Sequence, residues 1–105
     1  MKEYKVTITP EAIDDLNRYL SYLLFVKKSE QAYDALLEDY YDTVDELSRV
    51  AVALKMPSDP ELSSRGLKKI FFKKHKYVML YLMDGDEVIV VYIFHMLEDC
   101  KNKLR

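Results

Sequence analysis

Half of the 105 residues are hydrophobic and 32% are charged, with two Gly, three Pro and a formal net charge of −2, proportions that exclude a disordered or fibrous chain and suit one domain with a single core and a shallow site. Cys100 is the sole cysteine, which excludes an internal disulfide and a thiolate zinc cluster and makes a reducing, cytoplasmic setting the expectation. The opening "MKEYKVTITP" has no apolar signal core and no run of 18 apolar residues occurs, so neither export nor a membrane-spanning helix is expected.

Residues 3 to 9 alternate, with Tyr4, Val6 and Ile8 on one side and Glu3, Lys5 and Thr7 on the other, the pattern of a strand with one buried face. "TPEA" then reads as a helix start. Thr9 can cap free amides, Pro10 suits the first helical position and Glu11 complements the dipole. Ile13, Leu16, Leu20 and Leu23 recur at spacings of three and four and give one apolar stripe, which fades near "FVKKSE". Ser29 caps a second predicted helix, whose stripe is Ala32, Leu36, Tyr40, Val44, Leu47, Ala51 and Leu54. Joined by a short polar break, the two helices are expected to form an antiparallel hairpin of about 45 residues.

Pro57, Pro60 and Gly66 punctuate "KMPSDPELSSRG", so residues 55 to 66 are expected to form a connecting loop. Beyond Gly66 the period becomes that of strands. "LKKIFFK" alternates, "YVMLYLM" and "EVIVVYIFH" are rich in β-branched and aromatic residues, and "DGD" between them is a hairpin turn signal. This order predicts an α+β fold, β-α-α-β-β-β, in which an antiparallel curved sheet is covered on one face by the long helical hairpin. The other face is expected to be partly open to a site or a partner.

Charge is unevenly spread. Residues 10 to 54 carry ten acidic side chains against four basic ones, whereas residues 63 to 76 hold Arg65, Lys68, Lys69, Lys73, Lys74 and Lys76 with no acid. Such a segment attracts a phosphate backbone or an acidic protein segment. His75, among these cations, reads as a surface turn residue, and Asp14, Asp15, Asp42, Asp45 and Glu46 as a solvated helix face. Tyr77, Tyr81 and Tyr92 are candidate stacking platforms, while Tyr40 and Tyr41 read as packing. In "VVYIFHMLED" the apolar run ends at His95, the best candidate for acid or base work because histidine titrates near neutrality. Simple alternation groups His95 with Val91 and Ile89, opposite Tyr92 and Phe94. No carboxylate–histidine cluster at ligand spacing occurs, and neither a metal nor a cofactor is expected.

Taken together, "YKVTITPEAIDDL", "GLKKIFFKKHKYVMLYLMDGDEVIVVYIFH" and a terminal His95 followed by Asp99 resemble the opening strand and helix, closing meander and frequent C-terminal His and Asp of the RelE/ParE toxins of type II toxin–antitoxin systems. The resemblance covers nearly the whole chain. It implies a growth-arresting toxin held inactive by a cognate antitoxin in a hetero-oligomer. Members of the RelE kind cleave messenger RNA on the ribosome, and on that pattern His95 is the acid or base. Tyr81 and Asp99 assist it, and Arg65, Lys69, Lys73 and Lys74 hold phosphate. This mRNA interferase activity is the leading expectation. ParE-like members instead inhibit DNA gyrase without an established hydrolytic centre, and a decayed toxin that only binds its antitoxin is a further alternative. Val78 stands where ribosome-dependent members often carry an Arg that would stabilise transition-state charge, and the long hairpin is more like the ParE branch.

Overall fold

The computed structural model describes residues 3–54 and 60–96. Strand β1 (Lys5–Ile8) leads into α1 (Pro10–Ser21), a π-helical turn (Tyr22–Val26) and α2 (Glu30–Val50); α3 (Pro60–Ser64), β2 (Lys68–Phe71), β3 (Tyr77–Asp84) and β4 (Glu87–His95) follow. Both long helices start where the sequence places a cap. Thr9 Oγ1 accepts from the Ala12 amide at 3.2 Å and Ser29 Oγ from the Ala32 amide at 3.1 Å, each satisfying a donor that a helix start leaves without an intrahelical partner. Past Ser21 the helix widens instead of stopping: the Lys27 amide donates to Tyr22 O, five residues back, at 3.1 Å. Lys28 then takes a φ of 52° and turns the chain into α2.

The strand order is β1-β4-β3-β2. The pairs β2–β3 and β3–β4 are antiparallel, as expected. β1 instead runs parallel to β4, from Lys5 opposite Glu87 to Ile8 opposite Val90, so the sheet is mixed and not wholly antiparallel. The connection from β1 to β4 passes through α1, α2, α3 and two strands, a length that permits parallel pairing where a tight turn does not. The stretch expected to be a loop contains α3, with Pro60 at its start in the helix position that proline suits.

The helical hairpin covers one face of the sheet. Leu16, Leu20, Leu36 and Leu47 pack there with Ile70, Met79, Tyr81, Val88, Val90 and Ile93. A smaller cluster lies on the other face, where Leu62 of α3 and Leu67 pack on Val78, Leu80 and Phe94. Burying each such side chain stabilises by about 1.5–3 kcal/mol, so the second cluster is what fastens α3 across part of the open face.

A bulge interrupts β4. Val90 stands opposite Tyr81 and Tyr92 opposite Leu80, which leaves Val91 without a cross-strand partner. The extra residue resets the alternation, because side chains change face at every residue. Val88, Val90 and Ile93 face the helices, whereas Val91, Tyr92 and Phe94 belong to the other face. His95, opposite Tyr77, is therefore on the helix side. The expected grouping of His95 with Ile89 and Val91 is overturned by this one residue.

Candidate functional site

β1 ends at Ile8, opposite Val90, and beyond that point the edge of β4 is covered by α1. Thr9 donates twice, its amide to Val90 O at 3.0 Å and its hydroxyl to Val91 O at 3.4 Å. Asp15 Oδ2 accepts from the Ile93 amide at 3.1 Å and Tyr19 Oη from the His95 amide at 3.0 Å. Asp15 and Tyr19 are four residues apart on a helix, about 6 Å of rise, which matches the roughly 6.6 Å between alternate amides of a strand. Asp15, read from sequence as solvated, is thus buried at 7% exposure, and it also pairs with Arg18 at 3.1 Å.

This capping fixes His95 within a group of rings. Its imidazole stands edge-on to Tyr77, with centroids 5.0 Å apart, and Tyr77 stands edge-on to Tyr19 at 4.8 Å. Phe72 lies 5.7 Å from the same Tyr77 ring. Burial first, and the neighbouring Tyr22 phenol second, push the Tyr77 pKa up.

The other predicted site residues are dispersed. Tyr81 is fully buried, its hydroxyl donates to Ala51 O at 2.8 Å, and burial pushes its pKa up to about 12. It ties the end of α2 to the sheet, which corrects the expectation of an assisting acid or a stacking platform. Arg65, Leu67, Leu82, Val91 and Tyr92 line a shallow groove of about 390 Å³ on the face opposite the hairpin. Lys69 shares that face, opposite Leu80, with its ammonium 5.5 Å from the Phe71 ring centroid. Val78, where the resemblance implies an Arg, is buried under α3 with Leu62 and Leu67. Asp99 lies outside the described residues. His95 is therefore brought together neither with Arg65 and Lys69 nor with Tyr81.

Lys73 and Lys74 sit in the β2–β3 turn, and their placement depends on a residue that sequence reasoning missed. Asp39 of α2, 2% exposed, accepts from the Lys73 amide at 3.1 Å, the Lys74 amide at 2.9 Å and His75 Nδ1 at 2.7 Å. Burial alone raises the pKa of such a carboxyl. Here the hydrogen bond from His75, those from the Lys74 and Lys73 amides and the charge of His75 outweigh burial, so the Asp39 pKa lies below its ordinary value of 3.8. His75, expected to be a plain surface turn residue, is the side-chain partner of a buried acid.

Among the described residues no group of three or more His, Cys, Asp or Glu side chains is arranged to hold a metal, and no helix is long and apolar enough to cross a membrane. The family described as the ParE toxin of the type II toxin–antitoxin system parDE matches residues 6–100. Among solved structures, one of the chromosomal ParDE toxin–antitoxin system from P. aeruginosa has a TM-score of 0.70 at 18% identity, covering 89% of this chain and 96% of that one. A second, of the RelBE2 toxin–antitoxin complex from Mycobacterium tuberculosis, has a TM-score of 0.57 at 22% identity, with 89% and 98% covered. Both likenesses are of fold. No curated protein matches the sequence.

Proposed function

Because the chain belongs to the ParE toxin family of type II toxin–antitoxin systems, we propose that it arrests growth by binding DNA gyrase, without cleaving a bond itself, and that a cognate antitoxin neutralises it in a cytoplasmic hetero-oligomer. The contact mechanism is supported by the separation of the candidate chemistry. His95 lies on the helix side of the sheet, Arg65 and Lys69 lie on the opposite face, and Tyr81 is spent in the core, so that of the candidate cations only Lys73 and Lys74, on the turn that leads into Tyr77, are at the His95 end of the sheet. RNA cleavage by general acid–base catalysis needs the proton-moving group within hydrogen-bond reach of the reacting oxygen, and cations around the same phosphate. A surface that acts by complementarity needs neither.

The antitoxin half of the proposal draws on the groove at Arg65, Leu67, Leu82, Val91 and Tyr92. An apolar floor with a guanidinium among its lining residues fits an amphipathic segment carrying acidic side chains, in the manner of helices that dock by one face. Ribosome-dependent cleavage of messenger RNA is the competing mechanism, and one experiment separates the two. Expression is induced in culture, and RNA ends and gyrase-cleaved DNA are mapped from the same sample. Cleaved DNA complexes with unchanged RNA ends, and growth arrest retained by His95→Ala, are the expected results. New ribosome-dependent RNA cuts that disappear in His95→Ala overturn the reading and return the chemistry to His95.

A further inference from the structure

We propose that the end of the sheet at the β2–β3 turn is a binding surface for single-stranded nucleic acid, made of the cationic turn at residues 73–76 and the aromatic cluster beside it, with Asp39 as the residue that positions the turn. The inference does not rest on the gyrase reading.

The turn is shaped from inside. Three of its donors, the amides of Lys73 and Lys74 and Nδ1 of His75, converge on the one buried carboxylate of Asp39. With the backbone held inward, the side chains of Lys73, Lys74 and Lys76 are exposed, and none of these lysines takes part in the ion pairs of the described residues. Three cations on a short, anchored turn form a concentrated positive charge on a chain whose net charge is −2.

Rings continue the patch. The turn joins Phe72, which is buried at 5% exposure, to the half-buried Tyr77, and Tyr77 touches the half-buried Tyr19 and His95 edge-on; the exposed rings beside them are those of Tyr22 and Phe25. Two more cations flank this group: the Arg18 guanidinium is 5.5 Å from the Tyr19 centroid and the Lys27 ammonium 5.8 Å from that of Tyr22. Tyr22 is 49% exposed, and Phe25 and Val26 next to it are 71% and 64% exposed. Cations alternating with accessible π faces are what a single strand uses, because it presents phosphates and unpaired bases together. A duplex hides its base faces, and an acidic peptide engages the lysines but gives the rings nothing to stack. Glu38 and Asp42, exposed on α2 to either side of Asp39, repel phosphate and set the limit of the surface on that helix.

The test is fluorescence anisotropy of a labelled single-stranded 20-mer, as DNA and as RNA, with the purified full chain over a range of salt. Lys73→Glu/Lys74→Glu is expected to lower affinity at least about tenfold and to reduce the salt slope by about 1.4, the counterion release of two single-strand phosphates. Tyr22→Ala is expected to lower affinity about tenfold with the salt slope unchanged. Asp39→Asn, checked by circular dichroism to be folded, is expected to weaken binding although it removes a negative charge. Lys69→Glu, on the opposite face, is expected to leave binding unchanged. The proposal is overturned if the wild-type chain does not bind, if the turn substitutions change nothing, if Lys69→Glu is equally damaging, or if polyglutamate competes as well as the oligonucleotide. Preference for DNA over RNA or the reverse identifies which strand the surface takes.

Discussion

Replacing Asp39 with Ala removes a carboxylate that serves three donors on three consecutive residues of the β2–β3 turn. Hydrogen bonds to a charged group contribute about 1.5–3 kcal/mol each. The Lys73 and Lys74 amides belong to exposed residues and regain water once the carboxylate is gone, so the three do not simply add. A loss of about 3 kcal/mol follows, at the lower end of what breaking a buried charged pair costs. For a chain of this size that is a fall in Tm on the order of 10–15 °C. Urea unfolding at about pH 7 measures it, with the midpoint shifting and the m-value constant. The pH dependence carries the sign. A carboxyl whose folded pKa is below its unfolded value adds stability that is fully present above the unfolded pKa, here 3.8, and is lost as pH falls through the folded pKa. The stability gap between wild type and Asp39→Asn is therefore full well above pH 3.8 and closes as the pH falls below it. A cost under about 1 kcal/mol for Asp39→Ala, or a gap that widens as the pH falls below 3.8, refutes the assignment of Asp39 as the anchor of the turn.

Tyr81→Phe deletes only the hydroxyl that donates to Ala51 O, and is expected to cost about 1–1.5 kcal/mol in urea unfolding while growth arrest on induction is unchanged; loss of toxicity at retained stability contradicts its placement as a core residue. Tyr19→Phe takes the acceptor from the His95 amide. A cost of about 1 kcal/mol is expected, together with hydrogen exchange that quickens at the His95 amide while core amides of β3 stay protected; no change at His95 contradicts the capping of β4 by α1.

The parts of the fold legible in the sequence are those whose signal is local. Thr9 and Ser29 cap helices within three residues of themselves, and the apolar stripes of α1 and α2 repeat within a single turn. Asp15 and Asp39 were not legible, because an aspartate in an acidic helix looks the same whether it faces water or an amide of residue 93 or 73, which lies far along the chain. The neighbours Tyr40 and Tyr41 make the same point: Tyr40 is 7% exposed and Tyr41 61%, although both read as packing. In β4 the run "EVIVVYIFH" is apolar on both faces, so its pattern has no polar contrast with which to register an extra residue. The basic segment was visible as composition, but its division between the open face and the sheet end is set by the strand register and by Asp39.

The bulge at Val91 decides which face of the sheet His95 occupies. Uninterrupted alternation from Val88 and Val90, which face the helices, places Tyr92 and Phe94 on the helix side and His95 on the open face with Arg65 and Lys69. With Val91 inserted, Tyr92 joins Arg65 in the groove and His95 turns to Tyr77 and Tyr19. A bulge gives up ladder pairing, and here α1 compensates through Thr9 at Val90 and Val91, Asp15 at Ile93 and Tyr19 at His95. The choice of face for His95 is therefore stabilised by polar residues of a helix cap and a helix flank some eighty positions away in sequence. A related chain lacking acceptors at the positions of Asp15 and Tyr19 has no such support for the bulge, and its terminal histidine is expected on the open face beside the cations.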